Sequence, residues 1–181
     1  MIRLMQKLNA FQEIYRYQWR LSNLKESFVK LFLESHGYEV RPLGRGVMNP
    51  NVVKASLKIK AVPDFAVYYQ DYFIAFVEVT GANSYYDPRM GVWINLTKAE
   101  LANKVDSPYF FVCLFISRKI LRKAVFVDKS AVIYHYEAQD IIRRKIKGVT
   151  HKFVHIPWRE TKPLKDLPSE LEKLRPDYGG F

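Results

Sequence analysis

An α/β sandwich, with a central mixed β-sheet flanked by helices, is the fold class this sequence predicts. The first observation is that helical and strand periodicities alternate in the order helix, strand, hairpin, helix, strand. The second is that 181 residues, 49% of them hydrophobic, supply one domain's core and not two. The third is an aromatic content of 15%, which favours a packed interior over disorder. The chain therefore reads as a single domain over residues 1–181, with an N-terminal helix at 3–19, a core over about 22–127 and a C-terminal extension at 128–181.

In chain order, Leu4, Leu8, Phe11, Ile14 and Tyr15 recur at helical spacing and define the first helix. A second is expected from Asn23 to His36, with Leu24, Phe28, Leu31 and Phe32 as its apolar stripe and Gly37 as its stop. The strand Tyr38–Pro42 follows. Residues 43–61 turn glycine-rich and then basic, and end in a candidate strand, Ala55–Ile59. Two strong strands, Phe65–Tyr69 and Phe73–Thr80, are joined by the short connection Gln70-Asp71-Tyr72. The segment 82–91 reads as loop. A helix beginning near Asn95 to Thr97 runs to about Lys104, with Thr97 and Glu100 at capping-box spacing. Strands are expected at Tyr109–Ile116, Ala124–Val127, Val132–Tyr136 and His151–Ile156, with the basic cluster Arg143, Arg144, Lys145 and Lys147 before the last. A short helix near Ser169–Leu174 and a flexible 179–181 end complete the reading.

Lys and Arg number 29 against 18 Asp and Glu, a formal charge of +11 that suits a polyanionic partner such as nucleic acid. A solvated basic surface is the plain alternative. No stretch reaches the roughly 18–20 apolar residues needed to span a membrane, so no membrane partner is expected. The first residues lack a signal-peptide core, which makes a cytoplasmic, intracellular location the expectation. Cys113, the only cysteine, lies in an apolar run and reads as a core residue. The four histidines show no metal-ligand spacing, and neither GxSxG nor a P-loop occurs, which argues against zinc, serine-hydrolase and nucleotide-triphosphatase chemistry. Few Gln and a single Cys fit a thermophile or a virus of one.

Chemistry concentrates at Pro63-Asp64-Phe65 and Glu78-Val79-Thr80-Gly81. If residues 70 to 72 form a three-residue hairpin loop, Tyr69 pairs with Phe73, and counting back sets Asp64 opposite Glu78. Like charges so placed repel. Both acids sit in apolar stretches, where charges are rarely buried unless paired or bound to metal, and Mg²⁺ prefers oxygen donors of this kind. A turn role for Asp64 and a lysine ion pair for Glu78 are the alternatives.

These motifs resemble the PD-(D/E)xK, or restriction-endonuclease-like, nuclease superfamily, in which an acid follows proline at a strand start and the next strand carries an acid, one residue and a lysine. The resemblance covers roughly residues 22 to 116. It implies a Mg²⁺- or Mn²⁺-dependent nuclease acting on DNA, with Asp64 and Glu78 as metal ligands and the Val79 carbonyl as a further one. Thr80 departs from the pattern, standing where the lysine is usual. Some members carry that lysine on the following helix, which here points to Lys98; a solvated first-turn lysine is its other reading. The resemblance also implies an accessory acid from the preceding helix, matched by Glu26, although Asn23 and Glu26 fit a capping box equally. Thr80 is a candidate partner for a phosphate oxygen or a water.

For substrate contact the candidates are Arg45, Lys54, Lys58 and Lys60, interleaved with small and apolar residues, and Tyr85, Tyr86, Arg89 and Trp93, placed in a loop between the acid strand and the lysine helix. Hydrophobic anchoring of that loop is the alternative. Endonuclease action, structure-specific or junction-resolving, is the function expected, and a junction resolvase would be a homodimer. The rivals are a catalytically inactive nucleic-acid-binding module of the same fold and a basic protein that meets acidic partners.

Overall fold

The run Tyr-Phe-Phe-Val-Cys-Leu-Phe is apolar without alternation, the pattern of a strand covered on both faces. It forms the first seven residues of β5 (Tyr109–Ser117). In the computed structural model, which describes residues 23–43, 62–81, 91–117, 120–146 and 148–176, every side chain from Tyr109 to Phe115 is buried. Around it lie β1 (Glu39–Pro42), β2 (Phe65–Tyr69), β3 (Tyr72–Thr80), β6 (Ile120–Asp128) and β9 (Lys162–Pro163), in the order β1-β2-β3-β5-β6-β9. The β3–β5 pair is parallel and the other pairs are antiparallel, so the sheet is mixed.

Helices cover both faces. On one, Val29 and Leu33 of α1 (residues 23–34) join Val67, Val77, Val112, Leu114, Leu167 and Leu171, the last two from α4 (Leu167–Glu172). On the other, Ala99 and Ala102 of α2 (Leu96–Lys104) and Val132 of α3 (Lys129–Glu137) pack with Tyr109, Phe111, Cys113 and Val127. The same core takes one face of a second sheet, three strands in the order β4-β8-β7, built from β4 (Val92–Asn95), β7 (Ile141–Ile146) and β8 (Val149–Ile156). The fold is thus the mixed α/β class expected, with a small extra sheet that sequence periodicity does not announce.

Four local expectations change. Residues 132–136 are helical: Asp128 caps α3 by accepting from the Ala131 N–H at 3.0 Å, and this cap, with Val132 and His135 turned inward, overrides the strand preference of the run. The apolar stripe expected on α1 faces outward at Leu24, Phe28 and Leu31, all exposed. The inward face is Lys25, Val29 and Leu33, an equally helical spacing that the lysine disguised. Asn95, and not Thr97, caps α2, its side chain accepting from the Thr97 N–H at 3.0 Å. Val92–Asn95 is strand β4, which takes Trp93 out of the loop in which it was expected. The N-terminal helix at 3–19, the strand Ala55–Ile59 and the 179–181 end lie outside the described residues.

The hairpin is shorter than expected and yet reaches the expected register. Its loop is the two residues Gln70 and Asp71, both with positive φ (46° and 66°), and Tyr69 pairs with Tyr72. That turn alone would set Asp64 beside Val77. A bulge between Val67 and Tyr68 adds one residue on β3 and restores Phe65↔Val77, so that Asp64 falls opposite Glu78. A turn with positive φ at both central residues favours Asn-Gly. Replacing Gln70-Asp71 with Asn-Gly should therefore raise stability by about 1 kcal/mol, read by urea denaturation, with no change in fold.

In the C-terminal part His135, 5% exposed, bridges Asp140 Oδ2 (2.5 Å) and Glu160 Oε2 (2.8 Å), tying α3 to the turn at Trp158–Glu160. Burial acts to lower its pKa, and the hydrogen bonds and charges of the two acids outweigh it, so the imidazolium is held above its ordinary 6.5. A pKa raised by folding gives stability that is complete below 6.5 and is lost as pH rises through the folded value. The melting temperature of the wild type should fall from pH 6 to 9 more steeply than that of His135→Asn; equal slopes would remove the ionic bridge.

Candidate active site

Both acids stand just beyond the last pair of the β2–β3 ladder. Asp64 lies one residue before β2, beyond the end of the β2–β3 ladder, and its Oδ2 accepts from the Val79 N–H at 2.8 Å in place of a backbone carbonyl. Glu78 is in β3 between Val77 and Val79, on the face of Phe76, and is 4% exposed. So deep a carboxyl needs partners. Its Oε1 receives Lys98 Nζ at 2.6 Å, and its Oε2 takes the Tyr109 hydroxyl at 3.4 Å. Lys98 also donates to the Val62 carbonyl at 3.2 Å, which ties α2 to the segment carrying Asp64.

Asp64, Glu78, Val79 and Thr80 line one cleft of about 210 Å³ with Gly81 and, from α1, Lys25 and Glu26. The capping alternative for Glu26 is not what forms: the Asn23 side-chain oxygen is buried without a hydrogen bond, and Glu26 faces the cleft. Lys25, only 6% exposed, donates to the Gly81 carbonyl at 2.9 Å. Gly81 has φ +122°, and a Cβ there would lie 2.0 Å from the Leu114 carbonyl oxygen. The strand exit is therefore pressed onto β5 and pinned from α1.

The electrostatics are those of acids crowded together. Burial first, and then the charge of Asp64, pushes Glu78 up to about 8 against the pull of Lys98. The same two causes raise Glu26 to about 7, again opposed by Lys98. Burial lowers Lys25 to about 8. Tyr109 is raised by burial and by the neighbouring acids, so its hydroxyl keeps its proton. A protonated Glu78 still accepts the Lys98 N–H, so the short contact and the raised pKa are compatible.

Neither a protein-family model nor a curated protein matches the sequence. Among solved structures, the chain is similar to a Holliday junction resolvase from Archaeoglobus fulgidus, an archaeal hyperthermophile, with TM-score 0.41 and 10% identity over 81% of this chain and 97% of that one. It is also similar to a nuclease from a fusselovirus, with TM-score 0.47 and 16% identity over 90% and 93% of the two chains. No described helix is long and apolar enough to cross a membrane.

Of the residues expected from sequence, the fold brings Glu26, Asp64, Glu78, Val79 and Thr80 into one cleft and Lys98 onto Glu78. Trp93 is instead in β4, against Phe153 at 6.1 Å between ring centroids. Arg45, Lys54, Lys58, Lys60, Tyr85, Tyr86 and Arg89 lie outside the described residues. Sequence reasoning missed Lys25 and Tyr109. The signal for Lys25 was its place four residues before Val29 and eight before Leu33, the helical spacing of the buried face. Tyr109 lay hidden in a run that reads wholly as core.

Among the described residues, no group of three or more His, Cys, Asp or Glu side chains is arranged to hold a metal ion. Mg²⁺ asks for less, since one or two carboxylates with a carbonyl and waters suffice. Asp64, Glu78 and the Val79 carbonyl are the oxygens that would hold such an ion, and Lys98 only partly offsets the crowding of the two acids.

A Glu78 pKa raised by folding means that stability is highest below about 4.5 and is lost as pH rises through about 8. Glu78→Gln removes that cost while keeping the shape. The melting temperature of this variant minus that of the wild type should grow between pH 5 and 9, and a constant difference would place Glu78 in ordinary ionisation.

Proposed function

We propose that this chain is a metal-dependent nuclease that hydrolyses DNA phosphodiester bonds, with Asp64, Glu78 and the Val79 carbonyl holding Mg²⁺ or Mn²⁺ and Glu26 as an accessory acid. The observation that carries this reading is the convergence of two crowded acids, one in β3 and one just before β2, in one cleft, with a lysine of the next helix 2.6 Å from the buried acid. A buried ion pair serving stability alone needs no second acid beside it and no opening to solvent.

The bound ion would supply Lewis-acid activation of a water and of the scissile phosphate. The chain's own groups do the rest. Lys98 has three N–H donors, of which Glu78 and the Val62 carbonyl take two, leaving one for a phosphate oxygen or the attacking water. Lys98 thus fills the role that Thr80, in the usual lysine position, cannot. Glu26, at about 7, exchanges protons with water near neutral pH, as a general acid or base must. Thr80, half-buried at the cleft, offers a hydroxyl to a phosphate oxygen. The formal charge of +11 favours a polyanion, and an endonuclease acting on structured DNA, with a homodimer if it resolves junctions, is the form proposed.

Purified wild type, Glu78→Ala, Lys98→Ala and the double variant Thr80→Lys/Lys98→Ala should be incubated with supercoiled, single-stranded, flap and four-way-junction DNA in Mg²⁺, Mn²⁺ or EDTA. Cleavage is expected only with metal. It should fall by roughly 10²-fold or more in either single variant and recover in part in the double variant, as expected for a charge-stabilising lysine. DNA binding without cleavage under any metal would replace the nuclease by an inactive binding module of the same fold.

A further inference from the structure

The small β4-β8-β7 sheet turns one face inward, with Val92, Ile94, Val154 and Ile156 in the core. The register Trp93↔His155, Asn95↔Phe153, Ile142↔Phe153 and Arg144↔His151 places the alternate residues on the opposite, outer face. Trp93, His151, Phe153 and His155 there are half-buried, and Arg144 is exposed. The rings form a continuous row: Trp93 and Phe153 lie 6.1 Å apart, Phe153 and His151 6.2 Å apart. The Arg144 guanidinium sits 4.9 Å from the Trp93 ring centre. By the same register Arg143, Lys145 and Lys152 alternate onto the inward side, so that Arg144 is the basic residue that β7 sets on the outer face, and residues 141–156 contain no Asp or Glu.

We propose that this outer face is a second nucleic-acid site, a platform on which an unpaired strand stacks its bases along Trp93, Phe153 and His151 while Arg144 of β7 meets its phosphates. The proposal rests on the nucleic-acid reading of the proposed function but not on cleavage. Ring faces accept any base, and a cation beside them meets the backbone; that combination binds single strands with little sequence preference. An acidic protein would be served by the charge alone and has no use for a row of rings. The platform is joined to the cleft by covalent structure, because β4 ends at Asn95, the cap of the helix that presents Lys98. Two strand residues and three helical ones separate Trp93 from Lys98, a backbone path on the order of 11 Å. A strand held on the platform would lie within that backbone reach of the helix that carries Lys98.

The test uses a labelled oligo(dT) of about 15 nucleotides and an abasic strand of equal length, in EDTA so that no chemistry occurs. Wild type should bind oligo(dT) more tightly than the abasic strand, with quenching of tryptophan emission that Trp93→Phe removes. Arg144→Glu should weaken oligo(dT) binding by about tenfold or more, whereas Lys165→Glu, the same charge change at an exposed residue off this sheet, should weaken it far less. Equal losses in the two charge variants, equal affinity for the abasic strand, or no binding of oligo(dT) would each overturn the platform. Metal-dependent cleavage of duplex DNA by a protein that fails this test would leave the proposed function standing, and binding to oligo(dT) by a protein that cuts nothing would leave the platform standing without it.

Discussion

A carboxyl at the centre of an apolar sheet is the constraint on which the rest of this structure turns. Glu78 sits where its neighbours along β3 are valines and its neighbour across β5 is Phe111, and a charge in such a place is tolerated only with partners. Three elements meet at this carboxyl. Helix α2 starts at an Asn cap, which directs its first turn so that Lys98 reaches Glu78. Strand β5 opens with Tyr109, the hydroxyl donor among the rings that follow. The β2–β3 hairpin carries a bulge that sets Asp64 beside it.

The last of these works against stability. Without the bulge Asp64 would fall beside Val77 and leave Glu78 with its lysine and no like charge opposite it. Instead Asp64 is held by the Val79 N–H, and its charge adds to burial in raising both Glu78 and Glu26. Crowding of this kind moves pKa values toward neutrality, which is the ground on which the acids are proposed as a catalytic site. The pinned exit of β3, with Lys25 on the Gly81 carbonyl and Gly81 against β5, keeps the acids from drifting apart to relieve the repulsion.

The C-terminal part serves the same arrangement from further away. Leu164, Leu167 and Leu171 close the α1 face of the sheet, and Arg175 stacks on Tyr69 at 3.8 Å while donating to the Tyr38 hydroxyl at 3.2 Å. On the opposite side, His135 fastens α3 through Asp140 and Glu160, and β8 holds β4 in register just before α2. Residues far along the chain thus determine where Lys98 points.

The sequence by itself determined the fold class and the local elements that carry Asp64, Glu78 and Lys98, because strand alternation, the Pro63-Asp64 start and the helical run after Asn95 are local signals within a few residues. It also placed Asp64 opposite Glu78, although by a three-residue loop; the true turn and bulge displace the register by one each in opposite senses, and local counting sees only their sum. Only the tertiary structure decided which stripe of α1 faces inward, because Leu24-Phe28-Leu31 and Lys25-Val29-Leu33 both satisfy helical spacing and burial alone separates them. It likewise decided that 129–137 is helix, that Val92–Asn95 joins a second sheet, and that Lys25 and Tyr109 border the acids. Each of these depends on contacts between residues distant in sequence, and periodicity within a segment carries no information about what that segment will meet.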